Sequence, residues 1–357
     1  MSEKIAVVLF QLGGPDSLDA VEPFLYNLFS DPDIFDFPGS SVLGKPLARF
    51  ISRNRKAHAQ EHYAAIGGKS PILELTTLQS RALERRLRAE GVNATTIVAM
   101  RYWHPLTSEA ASRVRDGGFG RVILLPLYQQ FSRSTTLSSI NEWKRQAATV
   151  GLDLPTQLIC CYPNHPLMVK AIVERIDEAF GAFTDAGPGD IDVVFSAHGV
   201  PLSYIRSGDP YQLQVEETVR AVVSSGGWSS SVHVCYQSKV GPQKWLSPSL
   251  TDTAERLIRS GRNNLLIVPI AFVTEHIETL HEINIELREK AEGWGLGQMR
   301  VMPALNDHPS FIQCLSDLVT ARLRSSGDPV SKCMQLRDQA RGHRTAPVLC
   351  PWYQGTR

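Results

Sequence analysis

The sequence has few cysteines and almost no excess of charge. Its six cysteines (Cys160, Cys161, Cys235, Cys314, Cys333 and Cys350) include no C-x-x-C pair. Their spacing therefore predicts neither a disulfide framework nor a zinc site, and we expect free thiols in a reducing compartment. Lys and Arg number 37 against 36 Asp and Glu, which leaves a formal net charge of +1. Because the chain also has no long basic run to follow a phosphate backbone, we expect no nucleic-acid partner.

Long hydrophobic runs are also missing. No window approaches the roughly eighteen apolar residues of a membrane-spanning helix. The apolar run at 5–10 is too short for the core of a signal peptide. We therefore expect a cytoplasmic chain that begins near Met1, and we expect any membrane contact to be peripheral.

The chain is long enough, at 357 residues and 43% hydrophobic, for two ordinary cores. Short β-branched runs alternate with stretches of helical periodicity, which predicts parallel sheets with crossover helices. The predicted strands are 5–12, 95–102, 121–130 and 156–162 in the first half, and 191–198, 231–238, 263–272 and 298–305 in the second. The predicted helices include 75–90, 166–180, 211–224, 251–260, 276–291 and 309–325.

The two halves resemble each other most closely at their third strands, 120–128 and 264–272. This likeness indicates a duplicated, doubly wound α/β domain. We place the first domain at 1–170, the second at 171–325 and a C-terminal extension at 326–357. We expect the final helix of the second domain to cross back to the first.

Polar residues are concentrated at four strand ends, 11–16, 101–107, 196–201 and 272–280. In open α/β sheets the ligand lies beyond the carboxyl ends of the strands. His198 follows an apolar strand and precedes a Gly-Val-Pro turn, which directs a metal-ligating imidazole into the cleft. The alternative is a strand-end histidine that only bonds a nearby carbonyl. We favour the functional reading because the strand end at 272–280 carries Glu275, His276 and Glu278 in the same half.

Glu278, Glu282 and Glu286 form a ladder of carboxylates. On an α-helix, steps of four place them within about 80° of arc. Residues two apart diverge by about 200°, so His276 and Glu278 share a cavity only if the helix starts late or is irregular. A solvated helix face is the alternative. We favour a path for divalent cations or protons, because we expect only one basic residue, Arg288, to lie near enough in sequence to pair with the ladder.

Several other features carry weaker signals. The Gly13-Gly14-Pro15 turn lacks the spacing of a dinucleotide fingerprint or a P-loop, which disfavours nucleotide binding. Tyr63, Tyr128 and Trp245 are either core aromatics or walls of a pocket for a flat apolar ligand. The segment 24–38 carries five aromatics in fifteen residues. Part of it must be helix core, and its distal half indicates an exposed apolar lip, at about 24–40, for a partner or a membrane.

Six motifs together resemble the ferrochelatases, which insert ferrous iron into protoporphyrin. They occur in the family's order over almost the whole chain: LGGP (12–15), IGGKSP (66–71), RYWHPLT (101–107), SAHGVP (196–201), QSKVGP (237–242) and HIETL (276–280). The resemblance implies two Rossmann-like chelatase domains with the porphyrin in the cleft between them. The SAHGVP form is similar to that of the protoporphyrin-using enzymes of Gram-negative bacteria.

The resemblance also implies roles for particular residues. His198 and Glu278 match the two active-site positions to which iron binding is assigned, and His276 lies in the same motif. Positions that line the porphyrin pocket in the family correspond to Leu12, Tyr63, Ser70, Arg101, Tyr128 and Trp245, and Arg55 falls in the stretch thought to meet a propionate. His198 is then a proton acceptor, a metal ligand, or both in turn. The alternatives are a cobalt or nickel chelatase for another tetrapyrrole and a two-lobed carrier of metal or haem without turnover.

The chain departs from those family members that hold a [2Fe–2S] cluster on four cysteines. The loop position that supplies one thiolate there is Arg133 here, and the C-terminal region has only Cys333 and Cys350, seventeen residues apart, where that pattern needs three close thiols. Adjacent strand residues point to opposite faces, so only one of Cys160 and Cys161 could supplement the set. We therefore expect no cluster and no tightly bound cofactor, with Fe²⁺ as a substrate.

Overall fold

Each half of the chain forms a four-stranded parallel sheet. The computed structural model describes residues 3–34, 40–238 and 243–324. The first sheet contains β1 (Ile5–Gln11), β2 (Ala94–Met100), β3 (Arg121–Pro126) and β4 (Thr156–Leu158) in the order β2-β1-β3-β4. The second contains β5 (Asp192–His198), β6 (Ser231–Gln237), β7 (Asn264–Pro269) and β8 (Gln298–Val301) in the order β6-β5-β7-β8. The two orders are equivalent, which confirms the expected α/β fold of two similar halves.

Helices flank both sheets. In chain order they are α1 (Val21–Phe29), α2 (Ser40–Ala65), α3 (Ile72–Ala89), α4 (Thr107–Asp116), α5 (Ser138–Thr149), α6 (Pro166–Phe180), α7 (Leu202–Arg206), α8 (Tyr211–Gly226), α9 (Leu250–Arg259), α10 (Arg288–Gly293) and α11 (Pro309–Arg324). A π-helical turn covers Arg133–Leu137, and a longer π-helix covers Glu278–Leu287. No described helix has both the length and the apolar content that a bilayer crossing requires.

Four strands end three or four residues before their predicted ends. β3 and β7 end at Pro126 and Pro269, four and three residues before the predicted ends, because a proline has no N–H to continue the ladder. β4 ends at Leu158 and β8 at Val301. The apolar residues that follow, such as Leu127 and Ile159, stay buried outside the strands, so periodicity alone overextends the strands.

One apolar core includes residues of both halves. It contains Val7 and Leu9 of β1, Val193 and Phe195 of β5, and Ile172 of α6. The C-terminal helix α11 also joins this core, and Ser316 on α11 donates to a carboxylate oxygen of Glu90 at 2.8 Å. This contact confirms that the final helix crosses back to the first half. The predicted boundary at 170/171 falls within α6 and stays a prediction.

The loop after β3 is hydrogen-bonded to the second half. Gln129 Nε2 donates to the carbonyl of Ile270 at 2.5 Å, and the backbone N–H of Phe131 donates to Gln214 Oε1 at 2.7 Å. The backbone N–H of Arg133 donates to Asp209 Oδ2 at 2.8 Å. These bonds fasten the loop after β3 to the second half of the chain.

Candidate active site between the two halves

His198 is the last residue of β5. Its Nδ1 lies 2.5 Å from the carbonyl oxygen of Gly199. Because a carbonyl can only accept, the ring proton is on Nδ1 and Nε2 keeps its lone pair. The side chain is 35% exposed, and the Trp245 ring lies 6.4 Å from the imidazole, centroid to centroid. The strand end therefore carries an imidazole whose Nε2 can accept a proton or bind a metal ion.

Glu278 opens the π-helix and faces His198. Its Oε1 lies 3.7 Å from His198 Nε2, and its side chain is 15% exposed. Its Oε2 is buried and has no hydrogen-bond partner among the described residues. Burial raises the pKa of Glu278 to about 8, and Ser238 offsets the rise only in part. At neutral pH and without metal, this carboxyl is therefore mostly protonated.

His276 flanks the same carboxyl from its other oxygen. Its Nε2 lies 3.9 Å from Glu278 Oε2, while its Nδ1 donates to the Thr274 carbonyl at 3.1 Å. Burial lowers the pKa of His276 to about 4, so the ring is neutral. The helix begins at Glu278, after His276, and it is a π-helix. The helix thus starts after His276 and is also irregular. Either condition allows the side chains of His276 and Glu278 to lie close together.

The electrostatics of this group favour exchange of a proton for a metal ion. Burial also lowers the pKa of His198, so two neutral imidazoles flank one protonated carboxyl. A divalent cation that reaches Glu278 displaces its proton, because carboxylates bind metals in their ionised form. Strongly shifted groups that converge in a cleft are typical of functional sites.

The ladder of carboxylates continues from Glu278 towards the surface, but on a π-helix rather than the expected α-helix. Glu282 accepts from Ser238 Oγ at 2.6 Å. Burial, and then the charge of Glu278, raises the pKa of Glu282 to about 7. A cavity of about 320 Å³ is lined by Tyr236, Gln237, Ser238, Ser249, Leu250, Thr251, Glu282, Glu286, Leu287 and Lys290. Both outer carboxylates of the ladder thus reach this cavity.

The expectation of a ladder without counter-ions is wrong at Glu286. Its Oε1 lies 3.1 Å from His281 Nδ1 and 3.6 Å from His62 Nε2, and its Oε2 lies 3.6 Å from Lys290 Nζ. Arg288, the basic residue that the sequence suggested as a partner, instead donates to the carbonyls of Asn284 and Met299. His62 comes from α2, more than two hundred residues earlier in the chain, so sequence proximity could not reveal it.

The predicted wall residues lie in several environments. Tyr63 is buried, and its pKa is raised by burial first and then by Glu278 and Glu282, so it lies near the carboxylates. Leu12 packs against the same apolar cluster as Tyr63. Ser70 packs tightly against Gly14, where a Cβ would lie 2.6 Å from Ser70 Oγ. That contact explains the glycine of the turn.

Two of the predicted wall aromatics carry buried polar atoms with no hydrogen bond among the described residues. Tyr128 Oη and Trp245 Nε1 have no partner among the described residues. Buried polar groups are rarely left unpaired except where a ligand or water completes them. Trp245 lies next to His198, and the position of Gly199 admits no Cβ without crowding its indole at 3.3 Å.

Among the described residues, neither Arg101 nor Arg55 contacts His198 or Glu278. The Arg101 guanidinium lies 2.9 Å from Asp31 Oδ1 and donates to Ser138 Oγ at 2.8 Å, with 10% of its side chain exposed. Tyr102 Oη donates to the same Asp31 at 2.6 Å. Arg55 is exposed on α2 with its guanidinium 5.7 Å from the Phe29 ring centre.

The predicted lip at 24–40 lies partly outside the described residues. Phe24, Leu25 and Phe29 are buried in the cluster that holds Tyr63, so the proximal part is core, as expected. Tyr204 from the second half donates to the carbonyl of Ile34 at 2.9 Å. Phe35 and Phe37 fall outside the described residues.

Four residues near the ladder were not singled out from the sequence: Ser238, His62, His281 and Lys290. The first occurs in a quoted motif but gave no chemical signal of its own. The second belongs to a His58-x-x-x-His62 spacing on one helix, which places two imidazoles on one face and could have revealed a site.

The fold has relatives among solved structures. SirB from Bacillus subtilis with Fe³⁺ superimposes with a TM-score of 0.54 at 13% identity, covering 90% of this chain and 96% of that chain. DR2241 from Deinococcus radiodurans, whose structure is described as similar to chelatases, gives 0.51 at 13% identity over 95% of this chain and 60% of its own. At this identity the likeness shows the fold, which is that of the chelatases.

Comparisons of the sequence identify the family within the chelatase fold. The ferrochelatase family model matches residues 4–323. The ferrochelatase of Geotalea daltonii is 46% identical over 319 residues, 89% of this chain and 98% of that protein. The ferrochelatase of Parasynechococcus marenigrum is 45% identical over 327 residues, 90% of this chain and 83% of that protein. The chain therefore belongs to the ferrochelatase family, whose members are enzymes that insert iron into a porphyrin.

Proposed function

We propose that the chain inserts Fe²⁺ into protoporphyrin IX to form protohaem, and that His198 and Glu278 carry the chemistry. The geometry of this pair is the main support for the proposal. His198 Nε2, which carries no proton, lies 3.7 Å from the carboxyl of Glu278, whose pKa is about 8. The pair combines a neutral nitrogen base with an acid that gives up its proton only when a cation replaces it. The porphyrin lies in the cleft between the two halves.

Insertion must dispose of two protons, because the free porphyrin carries two pyrrole N–H groups and the product none. In our proposal, His198 Nε2 accepts one of them. Glu278 loses its own proton when Fe²⁺ binds, and it becomes a free carboxylate again when the ion moves into the ring. With its raised pKa, that carboxylate then takes the second proton at neutral pH, so the charges balance.

The walls of the cleft hold the ring in our proposal. Leu12, Tyr63, Ser70, Tyr128 and Trp245 line it, and the unpaired Tyr128 Oη and Trp245 Nε1 support this role. Arg101 shapes the wall through Asp31, Arg55 meets a propionate, and His276 keeps Glu278 oriented. Tight walls that fit a bent macrocycle convert binding energy into strain. Peripheral membrane contact through the lip belongs to the same proposal.

An anaerobic insertion assay tests the proposal. Purified protein is offered Fe²⁺, Co²⁺ or Ni²⁺ with protoporphyrin IX, and Fe²⁺ with coproporphyrin as the comparison. We expect metalloporphyrin from Fe²⁺ and protoporphyrin. Product from coproporphyrin alone would overturn the substrate, product from Co²⁺ or Ni²⁺ alone would indicate the other chelatase activity, and binding without product would indicate a carrier.

A further inference from the structure

Tyr204 forms a hydrogen bond between the two halves of the chain. It lies on α7 in the second half, and its Oη donates to the carbonyl of Ile34, in the first half, at 2.9 Å. The two residues are 170 positions apart in the sequence. Because the acceptor is a backbone carbonyl, the bond fixes the main chain at position 34 and does not depend on the side chain there.

The turn at 31–34 is fastened to the first half by its own side chains. The guanidinium of Arg101 lies 2.9 Å from Asp31 Oδ1, and Asn141 Nδ2 on α5 donates to Asp33 Oδ1 at 2.6 Å. The turn is therefore a short, well-anchored piece of backbone. A hydrogen bond at its end bears on the position of Arg101, one of the predicted wall residues.

The other end of the bond lies next to the candidate active site. α7 begins at Leu202, four residues after His198. The segment between them is bonded to the segment that carries Trp245, because the backbone N–H of Leu246 donates to the carbonyl of Val200 at 3.1 Å. The bond from Tyr204 thus joins two segments, one in each half, that both carry predicted site residues.

Arg133 holds the ring of Tyr204 in place. Its guanidinium carbon lies 4.8 Å from the ring centre, within the reach of about 6 Å for a cation–π contact. The backbone N–H of Arg133 donates to Asp209 Oδ2 at 2.8 Å, and Ser132 Oγ donates to the same oxygen at 3.0 Å. The arginine is therefore fixed at its backbone by the second half, close to the ring that it contacts.

We infer that Tyr204 is a positioning residue that fastens the two halves together across the cleft, and that Arg133 orients it. These two residues and the carbonyl of Ile34 form what we call the latch. Its effect on a bound porphyrin, which it keeps from leaving the cleft, rests on the proposed function. Because the latch acts through the walls and not through His198 or Glu278, we expect it to govern porphyrin exchange rather than the rate of insertion.

Tyr204→Phe tests the hydroxyl, and Tyr162→Phe is the matched control. Tyr162 Oη donates to the carbonyl of Pro126 at 3.0 Å, but both of these residues lie in the first half. Each substitution keeps the ring and removes one hydroxyl from a backbone carbonyl. Tyr162 is buried and Tyr204 is half-buried, so the control should lose at least as much stability. Thermal unfolding checks that both variants are folded.

Two measurements are made without iron. Hydrogen exchange in the porphyrin-free protein follows the amides at 30–34, and stopped-flow fluorescence follows the dissociation of protoporphyrin IX. We expect Tyr204→Phe to speed amide exchange at 30–34 about threefold or more and porphyrin dissociation about fivefold, the usual scale for the loss of one hydrogen bond. Tyr162→Phe should leave both rates unchanged.

Steady-state kinetics distinguish the latch from a general loss of stability. In Tyr204→Phe the KM for the porphyrin should rise about fivefold, while kcat and the KM for Fe²⁺ stay within about twofold of the wild-type values. A purely structural role would lower the thermal stability without this division between the two substrates.

Arg133→Met tests the orienting role, because it removes the charge and keeps a long unbranched side chain. We expect it to speed porphyrin dissociation about twofold or more in the wild-type background and to have little further effect in Tyr204→Phe. Such non-additivity is typical of residues that act through one contact. Equal effects in the two backgrounds would overturn the role of Arg133.

The outcomes separate the latch from the proposed function. Unchanged amide exchange at 30–34 in Tyr204→Phe would overturn the latch, whether or not the enzyme inserts iron. Faster amide exchange with unchanged porphyrin dissociation would overturn its role in retaining the porphyrin. If the wild-type protein bound no protoporphyrin, the proposed function would fail, and amide exchange alone would support or overturn the latch.

Discussion

His198 Nε2 and Glu278 Oε1 lie 3.7 Å apart, and the ring proton of His198 is held on the opposite nitrogen by the carbonyl of Gly199. The two atoms that face each other are therefore a lone pair and a carboxyl oxygen. At pH 7 and without metal the pair has no net charge, because the imidazole is neutral and most of the carboxyl is protonated. This arrangement sets the expectations for substitutions in the site.

His198→Ala should abolish insertion while the protein stays folded. The side chain is 35% exposed, so its loss removes little packing, whereas the loss of a proton acceptor typically costs about a hundredfold or more in rate. The measurement is kcat in the anaerobic assay, together with thermal unfolding, and His308→Ala serves as the control. A variant with near-normal turnover would remove His198 from the mechanism.

Glu278→Gln should abolish insertion and, in metal-free protein, increase stability at alkaline pH. The folded pKa of about 8 exceeds the ordinary glutamate value of 4.5, so the folded state binds the proton more tightly and wild-type stability falls as pH rises from about 4.5 to 8. Each pKa unit corresponds to about 1.4 kcal/mol, so we expect an advantage for the variant of up to about 4 kcal/mol near pH 9 relative to pH 4.

Chemical denaturation in the presence of a chelator, at both pH values, measures that difference. Glu74→Gln provides the comparison, because the Glu74 side chain is 65% exposed and should give little pH dependence. A stability difference for Glu278→Gln that is the same at both pH values would show that this carboxyl is not perturbed.

Glu282→Gln and Glu286→Gln should reduce insertion less than Glu278→Gln, in a graded series. Glu282 is half-buried and accepts a hydrogen bond from Ser238, whereas Glu286 accepts none among the described residues and 34% of its side chain is exposed, so water can replace Glu286 more easily. We expect about tenfold for Glu282→Gln and less for Glu286→Gln at saturating Fe²⁺. Equal sensitivity of Glu286 and Glu278 would reverse the direction that we assign to the ladder.

The lip should contribute to membrane or porphyrin contact through Phe35 and Phe37. Replacing both rings by serine removes apolar surface that would enter a lipid interface. We expect less co-sedimentation with anionic vesicles or a higher KM for the porphyrin. Leu78→Ser on α3, where Leu78 is 45% exposed, controls for loss of any exposed apolar residue. No change in either measurement would mean that the two rings are ordinary core.

The protein should carry no [2Fe–2S] cluster. The described cysteines are buried in three different apolar clusters, with Cys160 and Cys161 together in one of them. Both lie beyond the end of β4, so the argument from strand alternation does not apply to them. Cys333 and Cys350 lie outside the described residues. Anaerobically purified protein should be colourless, and visible bands with two equivalents of acid-labile sulfide would contradict the prediction.

The sequence predicted the parts of the site that follow one another along the chain. Buried runs located the strands, and the polar strand end located His198. The π-helix was not predictable from periodicity, because Ile277, Leu280, Ile283 and Leu287 also satisfy an α-helical pattern. The contacts of His62 with His281 and of Arg101 with Asp31 join distant segments, so they depend on the packing of the folded chain.

The hydrogen bonds that join the loop after β3 to the second half have a mechanical consequence. Opening the cleft like a hinge would leave the buried amide groups of Gln129 and Phe131 unpaired, at roughly 1–3 kcal/mol each. The two halves of the chain therefore resist a hinge-like opening about this loop. In the proposed reaction, a flat macrocycle held between the two halves would itself bend, and the stiffness of the protein would be the source of the distortion.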